Sequence, residues 1–140
     1  MIKMNIEECL REGYLKKIQP DKEMIKKEIA ESEKDLKRAE LSAEEQSFKW
    51  SIIQAYCSMF HAARSVLISQ GLLERRHFAI EVVLQKLVRE GKLESYYLED
   101  FKAAMSARED ADYSSVYSKE RADQMLTTAE EFLERVKKFF

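Results

Sequence analysis

From Ser42 to Gln70 the chain runs without a glycine or a proline, and its residues sort onto separable helical faces. One face carries Trp50, Ile53, Cys57, Phe60 and Leu67, and another carries Ile52, Tyr56, Met59, Ala63 and Val66. A third holds only small residues: Ser51, Ala55, Ser58, Ala62, Ser65 and Ser69. Bulk on two sides and small side chains on the next require neighbours nearly all round. The small face admits close approach by another helix, from this chain or from a second copy. Such an element is the centre of a helical bundle. Three glycines and one proline in the whole chain leave too little punctuation for a many-stranded sheet. Ser42-Ala-Glu-Glu45 reads as a capping box that opens this helix, and Gly71 as its stop.

The flanking segments fit the same architecture. Ile6, Leu10, Tyr14 and Ile18 recur every fourth residue, which predicts a first short helix over 3–18, weakened by Gly13. Gln19-Pro20-Asp21 breaks it, and Pro20 suits the first turn of a second helix over 21–41. There Ile25, Ile29, Ser32, Leu36 and Ala39 line one side, with Glu23–Lys27 and Glu33–Lys37 as i, i+4 pairs on a solvated face. Leu72 to Arg76 reads as a loop. A fourth helix opens at His77 or Phe78, carries Ile80, Val83, Leu84, Leu87 and Val88, and ends at Gly91. Ser95 is placed to cap a fifth helix over 96–111, a bent connection runs through Tyr117, and Ser118 caps a last helix striped with Ala122, Met125, Leu126, Ala129, Phe132, Leu133 and Val136. The expected fold is all-α, an antiparallel up-and-down bundle of five to six helices.

With 140 residues the chain suits one domain, and a net charge near −2 gives no global argument for nucleic acid. Cys9 and Cys57 are too few for a disulfide framework or a metal cluster and read as buried thiols of a reducing compartment. The charged N-terminal residues do not form a signal peptide, and no apolar run approaches the ~20 residues of a membrane span. These features place the protein in the cytoplasm.

Polar residues in apolar stripes are the candidates for chemistry. Tyr97, Leu98, Phe101, Ala104 and Met105 make a core-facing stripe whose next position is Arg108. A cation there is either paired inside the bundle or turned into a cleft or interface. Gln54, His61 and Arg64 make a polar seam on the central helix, either internally satisfied or facing a groove shared with Arg108. Arg75-Arg76-His77 stands at a helix start, where backbone N–H groups and two cations can hold a phosphate; the alternative is a solvated basic loop. A histidine so placed is biased toward its neutral form. Glu109, Asp110 and Asp112 have no accompanying ligand loop, so no metal is assigned and Asp112 is expected to pair with an arginine. No cofactor motif is present. Tyr113 and Tyr117 are four apart, would share a helical face, and are expected to be anchoring residues.

Ala55-Tyr56-Cys57-Ser58-Met59-Phe60-His61-Ala62-Ala63-Arg64, followed by Gly71, His77 and Arg108-Glu109-Asp110-Ala111-Asp112-Tyr113, resembles the HEPN superfamily, in its prokaryotic branch with an Arg…Ala-Asp-Tyr signature. The resemblance covers about 22 to 138, making residues 1–20 an N-terminal helical extension of a bundle at 21–140. It implies a dimerising bundle. Many members are metal-independent ribonucleases, often toxins paired with a nucleotidyltransferase, whose site is an arginine followed four to six residues later by a histidine. Arg108 matches the arginine, but the histidine position holds Tyr113, and a phenol is a poor base at neutral pH. In some paired toxins the partner modifies a tyrosine near the motif, a role open to Tyr113 or Tyr117. The first functional expectation is therefore a dimeric binding and interaction module, paired with a nucleotidyltransferase-type protein and binding RNA or nucleotide through Arg108 and Arg64. The alternative is an endoribonuclease toxin using Arg108 with His61 as a spatial substitute base. A structural bundle without a ligand is the third.

Overall fold

The computed structural model describes residues 4–140. Helices α1 (Ile6–Arg11), α2 (Lys22–Glu44), α3 (Phe48–Ser69), α4 (Phe78–Arg89), α5 (Ser95–Tyr113) and α6 (Lys119–Lys137) make an all-α bundle. Strands β1 (Leu15–Lys17) and β2 (Leu72–Glu74) form a small antiparallel ribbon beside it, with Leu15 opposite Glu74 and Lys17 opposite Leu72. Among the described residues no helix is long and apolar enough to cross a membrane.

The central helix is buried on two of its three faces; on the third, Trp50 is 54 % exposed and Ile53, Cys57 and Phe60 are only partly buried, so neighbours do not surround it and Cys57 is not a fully buried thiol. Ile52, Ala55, Tyr56, Met59, Ala62, Ala63, Val66 and Leu67 of α3 are all buried. Its small face is covered by α2 of the same chain. Ser32 Oγ donates to the Ser58 carbonyl at 2.7 Å, and Ser51 Oγ donates to the Ala39 carbonyl at 2.8 Å, so these buried hydroxyls are satisfied across the antiparallel α2–α3 contact. Phe101 of α5 lies 6.0 Å from Tyr56 and 5.9 Å from Phe132 of α6, ring centre to ring centre, and joins α5 and α6 to α3.

Several boundaries differ from the sequence expectation. The first helix does not span 3–18: α1 ends at Arg11, and residue 3 lies outside the described residues. Gly13, at φ +78°, terminates it as Tyr14 N–H reaches back to the Cys9 carbonyl at 2.8 Å and Gly13 N–H to that of Leu10. Pro20 precedes the helix rather than entering its first turn, since Asp21 is the cap and accepts from Glu23 N–H at 2.8 Å. Ser42 opens no helix. It lies within α2, which runs on to Glu44, and its hydroxyl hydrogen-bonds the Gln54 side-chain amide at 2.7 Å. The turn falls at Gln46, at φ +64°. Residues 72–74 pair as a strand rather than looping. Ser95 is the first residue of α5, not its cap, and that helix reaches Tyr113. Glu23 meets Lys26 rather than Lys27, and Glu33 meets Lys137 of α6 rather than Lys37, because exposed side chains take whichever partner a rotamer allows. Ser118 does cap α6, accepting from Arg121 N–H at 3.1 Å, and Gly71 and Gly91 follow the ends of α3 and α4.

The N-terminal segment bears directly on the loop before α4. Cys9 and Leu15 are fully buried. Arg75 N–H donates to the Tyr14 carbonyl at 2.8 Å, and the Tyr14 and Phe78 rings meet edge to face at 5.1 Å. Gly71 closes the same junction: at φ +74° its carbonyl accepts from Ile18 N–H at 2.9 Å, and a Cβ there would stand 3.2 Å from the Ile18 carbonyl oxygen. Residues 75–77 are therefore pinned from two sides.

Candidate functional site

Helix α5 turns Leu98, Phe101, Ala104, Ala107 and Ala111 inward and carries Arg108 on the edge of that stripe. Arg108 is neither sealed in the core nor wholly free. Its side chain is 31 % exposed, and Asp112, one turn on and 30 % exposed, approaches it at 3.5 Å. An ion pair this open contributes no more than a fraction of a kcal/mol, about 0.3–0.5 for i, i+4 geometry. The firmer hold is aromatic: the guanidinium carbon stands 5.9 Å from the Tyr56 ring centre and 5.8 Å from that of Tyr113.

Tyr56 links Arg108 to a histidine. Its ring is buried, and its hydroxyl lies 3.4 Å from His77 Nδ1. Phe60, one turn along α3, flanks the same imidazole at 4.8 Å between ring centres. Burial, then the charges of Arg108 and Arg64, push the His77 pKa below its ordinary value. The imidazole is therefore predominantly neutral at pH 7, with a lone pair available. Burial lifts the Tyr56 phenol to about 12 although Arg108 pulls the other way, so it keeps its proton. Tyr56 either donates to Nδ1 or accepts from Nδ1–H; in the second tautomer His77 Nε2 is the free acceptor.

The side chains of the α3 polar seam pair with groups other than Arg108. Gln54 meets Ser42, and His61 and Arg64 meet acids of α2 and β2. His61 Nδ1 lies 2.6 Å from Glu28 Oε2 and its Nε2 lies 3.6 Å from Asp35 Oδ2. Arg64 Nε donates to Glu74 Oε1 at 2.9 Å, and its Nη1 is 3.7 Å from Glu28 Oε1. The helices run antiparallel, so Glu28 and Asp35, seven residues apart on α2, fall opposite the i, i+7 seam of α3. Burial pushes the Glu74 carboxyl up, against the opposing pull of Arg64. The seam is an internal ionic cluster, and Arg64 is already engaged by two carboxylates.

Arg75 and Arg76 are exposed, and His77, between them and α4, keeps solvent access on one side while Tyr56 and Phe60 cover the other. The amides of Ala79 and Ile80, which a phosphate at this helix start would need, are taken by the carbonyls of Arg76 and His77 at 3.1 Å each. Tyr113 and Tyr117 are not buried anchors. They are 75 % and 46 % exposed, and they share no helical face because α5 ends at Tyr113 and residues 114–118 are irregular. With Val116, 48 % exposed, they leave an apolar, aromatic strip on the segment that begins beside Arg108. The acidic cluster disperses onto arginines: Asp112 turns to Arg108, and Asp110 to Arg121 at 3.4 Å. Among the described residues no group of three potential metal ligands converges.

The candidate site is thus Arg108, Tyr113, Tyr56, Phe60 and His77, drawn from α3, α5 and the loop before α4. Sequence patterning missed Tyr56 and Phe60 as site residues because they read as ordinary apolar positions. Glu28, Asp35 and Glu74 were missed because a charged, solvated-looking helix face gives no sign of which acids turn inward.

A family description, "HEPN domain", matches residues 25–139. A protein of Methanocaldococcus jannaschii named "Putative toxin MJ0605" is 28 % identical over 119 residues, spanning 84 % of this chain and 89 % of that one. A Pyrococcus horikoshii protein, "UPF0332 protein PH1297", is 38 % identical over 58 residues, 41 % of each chain. The chain belongs to the HEPN family.

Proposed function

We propose that this HEPN protein is a dimeric binding module of a toxin–antitoxin pair, working in the cytoplasm with a nucleotidyltransferase-type partner and taking RNA or a nucleotide at the Arg108 face. The observation that carries the reading is the state of Arg108. Its guanidinium is oriented by two aromatic rings, retains solvent access, and has only a 3.5 Å carboxylate contact to give up to a phosphate. Tyr113, three-quarters exposed at its side, offers a stacking surface for a base. In this reading residues 1–20 are an extension to a bundle at 21–140, with β1 and Tyr14 bracing the loop that bears Arg75, Arg76 and His77. The test is equilibrium binding of a fluorescent single-stranded RNA, with co-purification of the product of the adjacent gene. Arg108→Ala should weaken RNA binding at least about tenfold, the loss of a charge-assisted contact worth about 1.5–3 kcal/mol. Unchanged affinity in that variant would remove the reading.

A second reading, a metal-independent endoribonuclease toxin, is favoured by the relative whose name carries the word toxin, and by the neutral imidazole beside Tyr56. Tyr113 is exposed enough to serve as an acceptor for modification by a partner.

A further inference from the structure

We propose that His77 is the proton acceptor for RNA cleavage at this site, in place of the histidine absent from the sequence motif, with Arg108 holding the scissile phosphate. The inference rests on the ribonuclease reading and names the residue that would make it work. Three arrangements support it. First, His77 and Arg108 share one buried ring: Arg108 lies over the face of Tyr56, and His77 meets its hydroxyl at 3.4 Å. Second, the imidazole is positioned before any substrate arrives. Phe60 flanks it at 4.8 Å, and the preceding residues are tied to Tyr14 through the Arg75 amide. In the tautomer whose Nδ1–H donates to the Tyr56 oxygen, Nε2 keeps its lone pair on the far side of the ring from the phenol, the way an orienting partner presents a catalytic histidine. Third, the other histidine is not free. Both ring nitrogens of His61 face carboxylates, Glu28 and Asp35, at 2.6 and 3.6 Å.

The charges around His77 suit a base. Burial against Tyr56 and Phe60 disfavours its charged form, Arg108 from α5 and Arg64 from α3 add to the effect, and the Tyr56 phenol facing it stays protonated. In the step, Nε2 takes the proton of a ribose 2′-hydroxyl. The 2′-oxygen forms a bond to the adjacent phosphorus, and the bond from phosphorus to the 5′-oxygen breaks. That oxygen leaves with a proton from solvent water, and the imidazolium later returns its own proton to solvent. The products are a 2′,3′-cyclic phosphate and a 5′-hydroxyl, with no oxidation and no metal required by the balance.

The experiment is cleavage of single-stranded RNA oligonucleotides in EDTA by the full chain and by His77→Gln, His77→Ala, Arg108→Ala and His61→Gln, with RNA affinity and circular dichroism measured in parallel. His77→Gln keeps a hydrogen-bonding partner for Tyr56 but cannot act as a base at neutral pH. Loss of about 100-fold or more in rate, with RNA affinity within about threefold and the fold intact, is the expected result. Added imidazole should restore part of the activity of His77→Ala and none of that of Arg108→Ala. Cleavage by His77→Gln at more than about a tenth of the native rate would overturn the inference and leave the ribonuclease reading standing. Full activity in His77→Gln with loss in His61→Gln would transfer the role to His61. A native chain that cleaves no RNA would overturn the ribonuclease reading and this inference with it.

Discussion

His61 Nδ1 lies 2.6 Å from Glu28 Oε2, and this contact ties the middle of α3 to α2 rather than to the Arg108 face. Both side chains are at least three-quarters buried, and Glu28 also approaches Arg64. Glu28→Ala leaves two part-buried cationic or polar groups short of a partner and should cost about 1–3 kcal/mol. A drop of roughly 3–10 °C in melting temperature is expected. RNA affinity at the Arg108 face should be unchanged. A lost RNA affinity in a folded Glu28→Ala protein would mean that the ionic cluster and the Arg108 site are one unit.

The partner cluster at β2 behaves differently. Burial outweighs Arg64 at Glu74 and raises its pKa, so the neutral carboxyl is favoured more in the folded than in the unfolded chain. The sign follows: this group's contribution is most favourable below the ordinary carboxylate value and declines as pH rises through the folded value. Glu74→Gln keeps an oxygen for Arg64 Nε without the buried charge, so its stability at pH 7 should lie within about 1 kcal/mol of the native protein, on either side. Arg64→Ala, which strands Glu74 and leaves Glu28 with His61 alone, should cost about 3 kcal/mol. Urea denaturation of both variants decides it.

Gly71 tests whether the N-terminal ribbon holds the His77 loop. Its φ of +74° and the 3.2 Å approach of an added Cβ to the Ile18 carbonyl make Gly71→Ala strained on two counts. A loss of about 1–3 kcal/mol is expected, together with faster amide exchange at Ile18 and Arg75, whose N–H groups bond across this junction. Stability and exchange equal to the native protein would show that the ribbon is not a constraint on the loop.

His77 should leave a signature in pH. Its folded pKa lies below its ordinary value of about 6.5, because of burial and the facing Arg108 and Arg64, with Tyr56 neutral beside it. Below pH 6.5 the unfolded chain therefore binds a proton before the folded chain does. The stability present above that value is lost as pH falls toward the folded pKa. His77→Gln should flatten this part of the stability curve. Any RNA cleavage should rise with pH on the acid side of 6.5 and level off above it.

Much of this molecule was legible in its sequence, and the parts that were not have specific causes. The α3 faces were readable because bulk and smallness alternate at helical spacing over six turns, and they identified both the core and the face that α2 covers. The β1–β2 ribbon was hidden because three residues per strand carry no periodicity, and because Leu15 and Ile18 also fit a helical count. Ser42 matched a capping pattern whose hydroxyl was instead drawn across to Gln54. Arg108 stood out as a cation on an apolar stripe, which pointed to a functional edge. His77 stands out in the sequence only with Arg75 and Arg76, as a phosphate-holding helix start or a basic loop, because no local pattern tells that a residue before α4 will meet Tyr56 of α3. The seam of Gln54, His61 and Arg64 was correct as a pattern, but its partners Glu28, Asp35 and Glu74 looked like solvated charge.

The most direct test of the Arg108 face as the ligand site is an NMR titration of unlabelled single-stranded RNA into isotope-labelled protein, following backbone amides and the Arg108 side-chain Nε–H. Shifts should concentrate at Arg108, Tyr113, Ser114 and Val116 and at His77, with Arg135 near the end of α6, whose guanidinium lies 5.0 Å from the Phe139 ring centre just beyond that helix, unmoved. Shifts centred on Arg135 and Phe139, or none at Arg108 at saturating RNA, would contradict it.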